Sequence, residues 1–238
     1  MTATLLNTPA RPRAYGFWGS TLWTLAAFVL ALVAIFLFVP VHAIATGNRG
    51  GLPPDEYLTL LTCVVMSGVI TFAVWRTRWP ITDYLALVTP LKLHIAVAII
   101  GAIGIGLGEE TLLSWLGGGD TNGKAIFAGY FAAQRAGLLP LYWLNRVAFA
   151  PFTEEILFRG FLLPSWARAL GRPAAIVGTS ILFALMHIQY DWHGMLAVGV
   201  TGLFCAWLRL RSGSLIPPII AHAGGNLLAM IGLVLSLA

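Results

Sequence analysis

Long apolar runs separated by short polar segments make up most of the chain. The runs are continuous rather than alternating, and many approach the 20 or so residues that cross a hydrocarbon core of roughly 30 Å. This pattern predicts membrane-spanning helices and argues against β-strands. The predicted spans cover residues 17–39, 57–75, 93–108, 139–163, 173–189, 194–210 and 214–237.

Breaks within these runs leave the predicted helix count at seven or eight. Gly224 and Gly225 interrupt the last run, which could therefore form two shorter helices, and Glu109 and Glu110 mark the end of the short third span. Residues 120–137 are mildly amphipathic, so we expect them to lie at the outer membrane interface instead of crossing.

The fold class that follows is an all-α, polytopic transmembrane helical bundle with seven to eight membrane-spanning helices. Composition agrees, because 58% of the residues are hydrophobic and only 10% are charged, with a mean hydropathy of +0.85. A soluble domain has about 25% charged residues. We expect one integrated membrane domain, in which residues 1–135 carry no motif and 136–238 carry all of those described below. The first run is too long for a cleavable signal.

Charge alternates across the predicted loops and suggests an orientation. With the N-terminus inside, ten basic residues lie in inside segments: Arg11, Arg13, Arg76, Arg78, Lys92, Arg159, Arg168, Arg172, Arg209 and Arg211. Only Arg49, Lys124 and Arg135 lie outside, and Arg146 is left within a span. The positive-inside rule then predicts a cytoplasmic N-terminus. This distribution accounts for the net charge of +5 without a nucleic-acid partner.

Two carboxylates and an arginine interrupt the fourth apolar run, in PFTEEILFRG (151–160). Ionisable groups at this depth are costly unless they are paired or hydrated. At about 100° per residue, Glu155 and Arg159 share a helix face, whereas Glu154 and Arg159 are about 140° apart. We therefore expect Arg159 to neutralise Glu155, and Glu154 to be free to act as a general base in a polar cavity.

Two further polar groups interrupt apolar spans at helical spacing. FALMH (183–187) places Phe183 and His187 on one face, and HAGGN (222–226) does the same for His222 and Asn226. A carboxylate, two imidazoles and a carboxamide could activate water and stabilise an oxyanion. Glu154, His187 and His222 could equally bind a divalent metal such as zinc.

Each group also has a purely structural interpretation. An intramembrane Glu–Arg pair can hold helices together, a lone histidine can be a core residue, and Asn226 could bond a neighbouring helix. Cys63 and Cys205 lie in apolar runs and are interpreted as small buried hydrophobic residues. The coincidence of three polar groups in one small chain favours a functional site.

The three motifs together resemble those of the CAAX-prenyl-protease-like family, also called the Abi or CPBP family of intramembrane proteases. The family pattern is EExxxR, FxxxH and HxxxN, which here is EEILFR (154–159), FALMH (183–187) and HAGGN (222–226). The resemblance covers about residues 140–230. It implies that Glu154 and His187 activate water and that His222 and Asn226 form the oxyanion hole. Glu155, Arg159 and Phe183 would support them.

The resemblance also implies a membrane-associated protein or peptide substrate, and the name of the family suggests a prenylated one. The compactness of the chain suggests a bacterial plasma membrane location. The resemblance leaves a metal-free glutamate mechanism and a metal-dependent one open; no HExxH motif is present. A non-proteolytic immunity or scaffold protein of the same fold is the main alternative. A proton-coupled transporter is a weaker one, because no inverted repeat is evident. GGGD (117–120) and YD (190–191) match an aspartyl-protease pattern only in reversed order.

One discrepancy concerns depth along the helices. At 1.5 Å per residue, Glu154, His187 and His222 lie about 14, 21 and 12 Å from the inner ends of their predicted spans. Helix tilt, or a fourth helix that continues past Pro164, would bring the three residues to one level.

Overall fold

A computed structural model of the chain describes residues 14–47, 52–115 and 121–237. Side chains are described for all of these residues except 109–114 and 121–125. Nine helices lie in these ranges. They are α1 (Phe17–Thr46), α2 (Asp55–Arg76), α3 (Ile81–Tyr84), α4 (Lys92–Trp115), α5 (Thr121–Arg135), α6 (139–170), α7 (Arg172–Leu185), α8 (Trp192–Ser212) and α9 (Ile216–Ser236).

The helical content confirms the all-α prediction. Each of the seven predicted spans corresponds to one helix, and α5 corresponds to the segment predicted at the interface. Of the helices in the described ranges, only the short α3 was not predicted. Within the described residues, α1, α2, α8 and α9 are long and apolar enough to cross a membrane, and α4 and α7 contain shorter apolar helices. The protein is therefore an integral membrane protein.

The structure corrects the predicted end of the third span and decides between the alternatives for the last one. The third span continues past Glu109 and Glu110 to Trp115, because glutamate is a good helix former and the pair ends the apolar stretch without ending the helix. The last span is one helix in spite of Gly224 and Gly225. A Cβ atom added at Gly224 would lie 3.7 Å from the Ala102 Cβ atom, so these small residues let α4 and α9 approach closely.

α1 shows how the apolar helices divide their surfaces. Its buried positions are all small: Ser20, Thr24, Ala27 and Ala31. Large side chains on the same helix point outward, among them Phe36, which is 79% exposed. Because small residues allow close backbone packing, they form the contact with α2, and the bulky side chains remain for lipid.

α6 is one continuous helical run with two π-helical segments. It consists of α-helical Leu139–Leu144, Ala150–Glu155 and Leu163–Leu170, with π-helical Asn145–Phe149 and Ile156–Leu162 between them. Each π segment immediately precedes a turn that contains a proline, Pro151 or Pro164. A proline ring clashes with the carbonyl four residues earlier, and a widened turn relieves that clash. The helix therefore passes Pro164 without ending.

α9 begins inside the bundle and not at its surface. The Leu215 backbone N–H donates to the Ala86 carbonyl at 2.8 Å, and both Leu85 and Leu215 are buried. A Cβ atom at Gly160 would lie 3.1 Å from Leu215 Cδ2 and 3.2 Å from Leu85 Cδ2. Both leucines therefore pack against the middle of α6, where a Cβ atom would be closer to them than ordinary van der Waals contact allows.

These two features resolve the discrepancy in depth. Along α6, Glu154 lies about 24 Å from the end at Leu170, and His187 lies about 22 Å from the start of α7. His222 is only about 9 Å from the start of α9, but that start packs beside Gly160, about 15 Å from the end of α6. All three side chains therefore come from one level of the bundle.

Candidate active site

A buried ion pair forms the centre of the site. Arg159 Nη1 lies 2.9 Å from Glu155 Oε1, and both side chains are almost completely buried. Arg159 also donates from Nη2 to the Gly202 carbonyl on α8 at 3.0 Å. The pairing predicted from the four-residue spacing is thus confirmed. Buried charges need such partners, because an unpaired charge in an apolar interior is costly.

His222 lies between the two carboxylates. Its Nδ1 is 3.0 Å from Glu155 Oε1, and its Nε2 is 3.7 Å from Glu154 Oε2. The two glutamates differ in access, since the Glu154 side chain is 21% exposed and that of Glu155 is 0%. The accessible carboxylate is therefore Glu154, for which the spacing in the sequence predicted no ion-pair partner on its own helix.

The Phe183 ring separates and positions the polar groups. The guanidinium of Arg159 lies 4.3 Å from its centroid, and the rings of Phe158, His187 and His222 meet it edge to face at 5.3, 4.9 and 5.6 Å. Phe183 is 1% exposed. An aromatic face stabilises the cation, and the fixed ring packs against both imidazoles.

His187 occupies the turn that follows α7, although it was predicted within the span 173–189. The helix ends at Leu185, and the His187 Nδ1 atom lies 2.8 Å from the Phe183 carbonyl. Its ring stacks on that of Tyr190 at 6.0 Å. Among the described side chains, His187 makes no direct hydrogen bond to Glu154, so any joint action of the two would pass through a bound water or substrate.

Asn226 lies one turn beyond His222 on α9 and faces α6. Its Nδ2 donates to the Arg146 carbonyl at 2.8 Å. This bond fixes the carboxamide and leaves one N–H available. The π-helical segment Asn145–Phe149 contains that carbonyl, and the widened turn helps to make it available for this bond.

The motif-free part of the chain also supports the site, which sequence reasoning did not predict. Ser67 on α2 shares a hydrogen bond of 3.0 Å with Thr153, the residue before Glu154. Asn145 Nδ2 donates to the Glu56 carbonyl at 2.9 Å. The only signal for these contacts in the sequence is a set of isolated polar residues in apolar spans. No spacing rule links positions so far apart.

Metal binding is not favoured by the arrangement of the described residues. No three His, Cys, Asp or Glu side chains in this part of the chain are grouped so that they could hold an ion. The set Glu154, His187 and His222 considered from the sequence therefore does not fit a three-ligand site in this arrangement.

The structure gives no support for an aspartyl-protease site at the two aspartates of the reversed pattern. GGGD (117–120) lies outside the described residues. Asp191 caps the first turn of α8, where its Oδ1 accepts from the Gly194 N–H at 2.9 Å. Its position at a helix N-terminus is a structural role.

Comparison with known protein families finds a match over the segment that contains the three motifs. Residues 136–228 match the family described as Rce1-like, type II CAAX prenyl endopeptidase. The family resemblance is confirmed over this segment. It contains the paired glutamates, both histidines and the asparagine.

Two curated relatives carry the name CAAX prenyl protease 2. The human protein is 28% identical over 107 residues, which is 37% of this chain and 32% of the relative. The Caenorhabditis elegans protein is 32% identical over 101 residues, or 35% and 38% of the two chains. An uncharacterized 24.3 kDa protein of Escherichia coli is 36% identical over 89 residues, or 34% and 39%.

The matches span only about a third of the length of these relatives. No solved structure matches the chain. The resemblance therefore concerns the segment that contains the site, and the activity of the whole protein is a separate question.

Proposed function

We propose that this protein is an intramembrane endopeptidase that cleaves a membrane-associated or lipidated protein or peptide. The observation that carries the proposal is His222, which links the accessible Glu154 and the buried Glu155 across two helices of an apolar bundle. Such a group of ionisable residues at membrane depth is costly and indicates function. The family match over residues 136–228 supports peptide hydrolysis as that function.

Glu154 acts as the general base in this proposal. It removes a proton from a water molecule, whose oxygen attacks the carbonyl carbon of the scissile peptide bond. When the tetrahedral intermediate collapses, the C–N bond breaks and the proton passes to the leaving amine. Glu154 suits this role because it is accessible, whereas Glu155 is buried and held by Arg159.

His222 and Asn226 stabilise the oxyanion. The Nδ1–H of His222 donates to Glu155, which orients the ring and directs Nε2 towards Glu154. A second proton, on Nε2, would give His222 a positive charge. His222 and Arg159 would then balance the two negative carboxylates, so that the cluster is neutral overall. That N–H and the free N–H of Asn226 can then donate to the developing negative charge.

His187, whose ring also contacts Phe183, assists the reaction. With Nδ1 engaged by the Phe183 carbonyl, its Nε2 is available for the attacking water or the leaving amine. Because the two residues do not touch directly, water must bridge His187 and Glu154. No step of this mechanism uses a metal ion.

Protein termini in membranes provide the test. We would compare new termini in cells that express wild type, Glu154→Gln or Asp55→Asn at equal levels; Asp55 is an exposed carboxylate in the first turn of α2. We expect wild type and Asp55→Asn to generate the same new termini and Glu154→Gln to generate none. Identical termini in all three membranes would overturn the proposal and favour a non-proteolytic binding protein.

A further inference from the structure

Arg209 is a buried arginine in the last turn of α8 that the proposed mechanism does not use. It is only 8% exposed, and its Nε atom is buried without a hydrogen-bond partner among the described residues. No carboxylate with a described side chain lies within ion-pairing distance of it. Arg159, which is also buried, bonds Glu155 and the Gly202 carbonyl instead. A buried cation without a counter-charge is costly, which suggests that a ligand supplies one.

The acidic residues of the described helices are not placed to neutralise Arg209. α4 and α8 run antiparallel, as two neighbouring contacts show: the Phe204 ring packs against Gly101, and Leu208 shares a buried cluster with Ala98. Glu109 and Glu110 follow on the far half of α4, about 16 Å beyond the level of Ala98 and away from the end of α8. Residues 1–13 contain no acidic residue, and Asp120 lies outside the described residues.

Two further arginines lie at the end of α8. Arg172 begins α7 and donates from Nη2 to the Leu210 carbonyl at 2.5 Å, and Arg211 is exposed in the same turn as Arg209. Neither forms an ion pair with a carboxylate whose side chain is described. Like charges this close repel one another unless an anion lies between or beside them. The end of α8 is therefore suited to an anionic ligand.

The depth of Arg209 indicates which anion binds. α8 has 21 residues and is about 30 Å long, close to the thickness of a hydrocarbon core. Arg209 lies three residues before its end, about 4–5 Å from the helix terminus and so near the level of the lipid headgroups. The positive-inside rule predicts this end to be cytoplasmic, and anionic lipids give that leaflet a negative surface potential.

The burial of Arg209 also limits the size of the ligand group. A side chain that is 92% buried cannot meet the flat surface of another protein or of a nucleic acid, whereas a single phosphate can enter beside it. A phosphate has several acceptor oxygens, and a planar guanidinium can donate two parallel hydrogen bonds to them. The headgroup of an anionic phospholipid presents such a phosphate at this depth.

We propose that Arg209 binds the phosphate of an anionic phospholipid at the end of α8, with Arg172 and Arg211 at the edge of the site. This inference does not depend on the proposed endopeptidase function. Gly202, whose carbonyl holds Arg159, lies two turns earlier on the same helix. A lipid bound at Arg209 therefore anchors the helix that supports the candidate active site.

Lipid titration of the purified protein in detergent tests the site. The probes are short-chain phosphatidylglycerol, phosphatidylcholine with the same acyl chains, and inorganic phosphate. We expect phosphatidylglycerol to raise the unfolding temperature saturably and to remain bound as one molecule per chain in native mass spectrometry. If phosphatidylcholine acts equally well, no anion is selected and the proposal is overturned. If inorganic phosphate stabilises as strongly as phosphatidylglycerol, the site binds free phosphate and the lipid assignment fails.

Two variants with the same loss of charge separate a specific site from general attraction. Arg209→Gln should weaken the affinity for phosphatidylglycerol roughly 10- to 100-fold, because charge-assisted hydrogen bonds are lost. Arg211→Gln removes an exposed arginine from the same turn and should weaken it about threefold or less. Equal losses in the two variants would mean that only the net charge of the surface matters, and the assignment would fail.

Stability without anionic lipid gives a second test of the same residue. In detergent alone, Arg209→Gln should unfold at the same temperature as wild type or a higher one, because an unpaired buried charge is removed and no bond to a described residue is lost. With saturating phosphatidylglycerol, wild type should be the more stable protein. If Arg209→Gln lowers the unfolding temperature equally in both conditions, Arg209 is a structural residue and the proposal is wrong.

Arg209→Lys decides the question even if Arg209→Gln does not fold. It keeps the positive charge but loses the paired donors of the guanidinium. We expect it to bind phosphatidylglycerol about fivefold more weakly than wild type and to retain the preference over phosphatidylcholine. An affinity equal to that of wild type would overturn the assignment of the phosphate to Arg209.

Discussion

At the scale of single residues, one imidazole determines how the charges of the site are shared. Glu155 accepts from both Arg159 and His222, which leaves Glu154 as the carboxylate with access to a substrate. His222 is therefore part of the folded core as well as a proposed catalytic residue. His187, by contrast, is partly exposed and bonds only within its own turn.

This difference predicts that the two histidines can be separated experimentally. We expect both His222→Ala and His187→Ala to abolish cleavage, but only His222→Ala to lower the free energy of unfolding substantially, by about 2 kcal/mol, because it breaks a buried bond to a charged group. His187→Ala should cost less than about 1 kcal/mol. Unfolding by denaturant in detergent, measured beside substrate cleavage, would reveal the difference.

His42→Ala is the matched control, since His42 lies near the end of α1 and contacts no residue of the site. It should leave cleavage unchanged. If His187→Ala proved more destabilising than His222→Ala, the core role assigned to His222 would be wrong.

At the scale of elements, the spacing of residues in the sequence predicted contacts within one helix but not the packing between helices. The Glu155–Arg159 pair and the shared face of His222 and Asn226 follow from helix geometry alone, so both could be predicted. The point at which α9 begins depends on the fit of Leu215 against Gly160, which no local pattern encodes. The π-helical segments likewise became visible only in the folded chain.

Close packing between α8 and the site predicts that a side chain at position 202 destabilises the protein. A Cβ atom there would lie 3.2 Å from Phe183 Cδ1 and 3.3 Å from Arg159 Nη2. Gly202→Ala should therefore displace the guanidinium, destabilise the protein by about 1–3 kcal/mol and reduce cleavage. Thermal unfolding and cleavage rates of the purified variant would measure both effects.

Gly199 on the same helix provides the comparison. A Cβ atom there meets only the Ala184 Cβ atom, at an ordinary 3.5 Å. Gly199→Ala should be neutral or stabilising, because alanine is the better helix former by about 1 kcal/mol. Equal losses for both alanine variants would argue against a specific contact at Gly202.

At the scale of the whole molecule, the motifs gave no indication of how much the first 135 residues contribute. Ser67 holds the residue before Glu154, and the Glu56 carbonyl holds Asn145. These contacts join positions about 90 residues apart in the chain, so they arise only from folding. Helix identity and the polar motifs of the candidate site could be predicted because they are local, whereas this support depends on contacts between helices that are distant in sequence.

Tyr15 is the residue that tests this structural role of the N-terminal region. Its hydroxyl donates to the Ala73 carbonyl at 3.1 Å, and its own carbonyl accepts from Ser165 Oγ at 3.0 Å and Arg168 Nη2 at 2.9 Å. Tyr15 thus ties the start of α1 to α2 and α6. We expect Tyr15→Ala to lower the free energy of unfolding by about 3 kcal/mol, because the hydroxyl bond to the Ala73 carbonyl and the packing of the ring are lost together.

The same substitution should leave cleavage intact at temperatures where the protein stays folded, since Tyr15 makes no contact with the proposed catalytic residues. Trp18→Ala removes a neighbouring ring that is 73% exposed, and it should change the unfolding temperature little. Unfolding curves and cleavage rates at low temperature would decide the point. If Tyr15→Ala stopped cleavage without loss of stability, the N-terminal region would have a direct role in the reaction, and the division between motif and support would have to be abandoned.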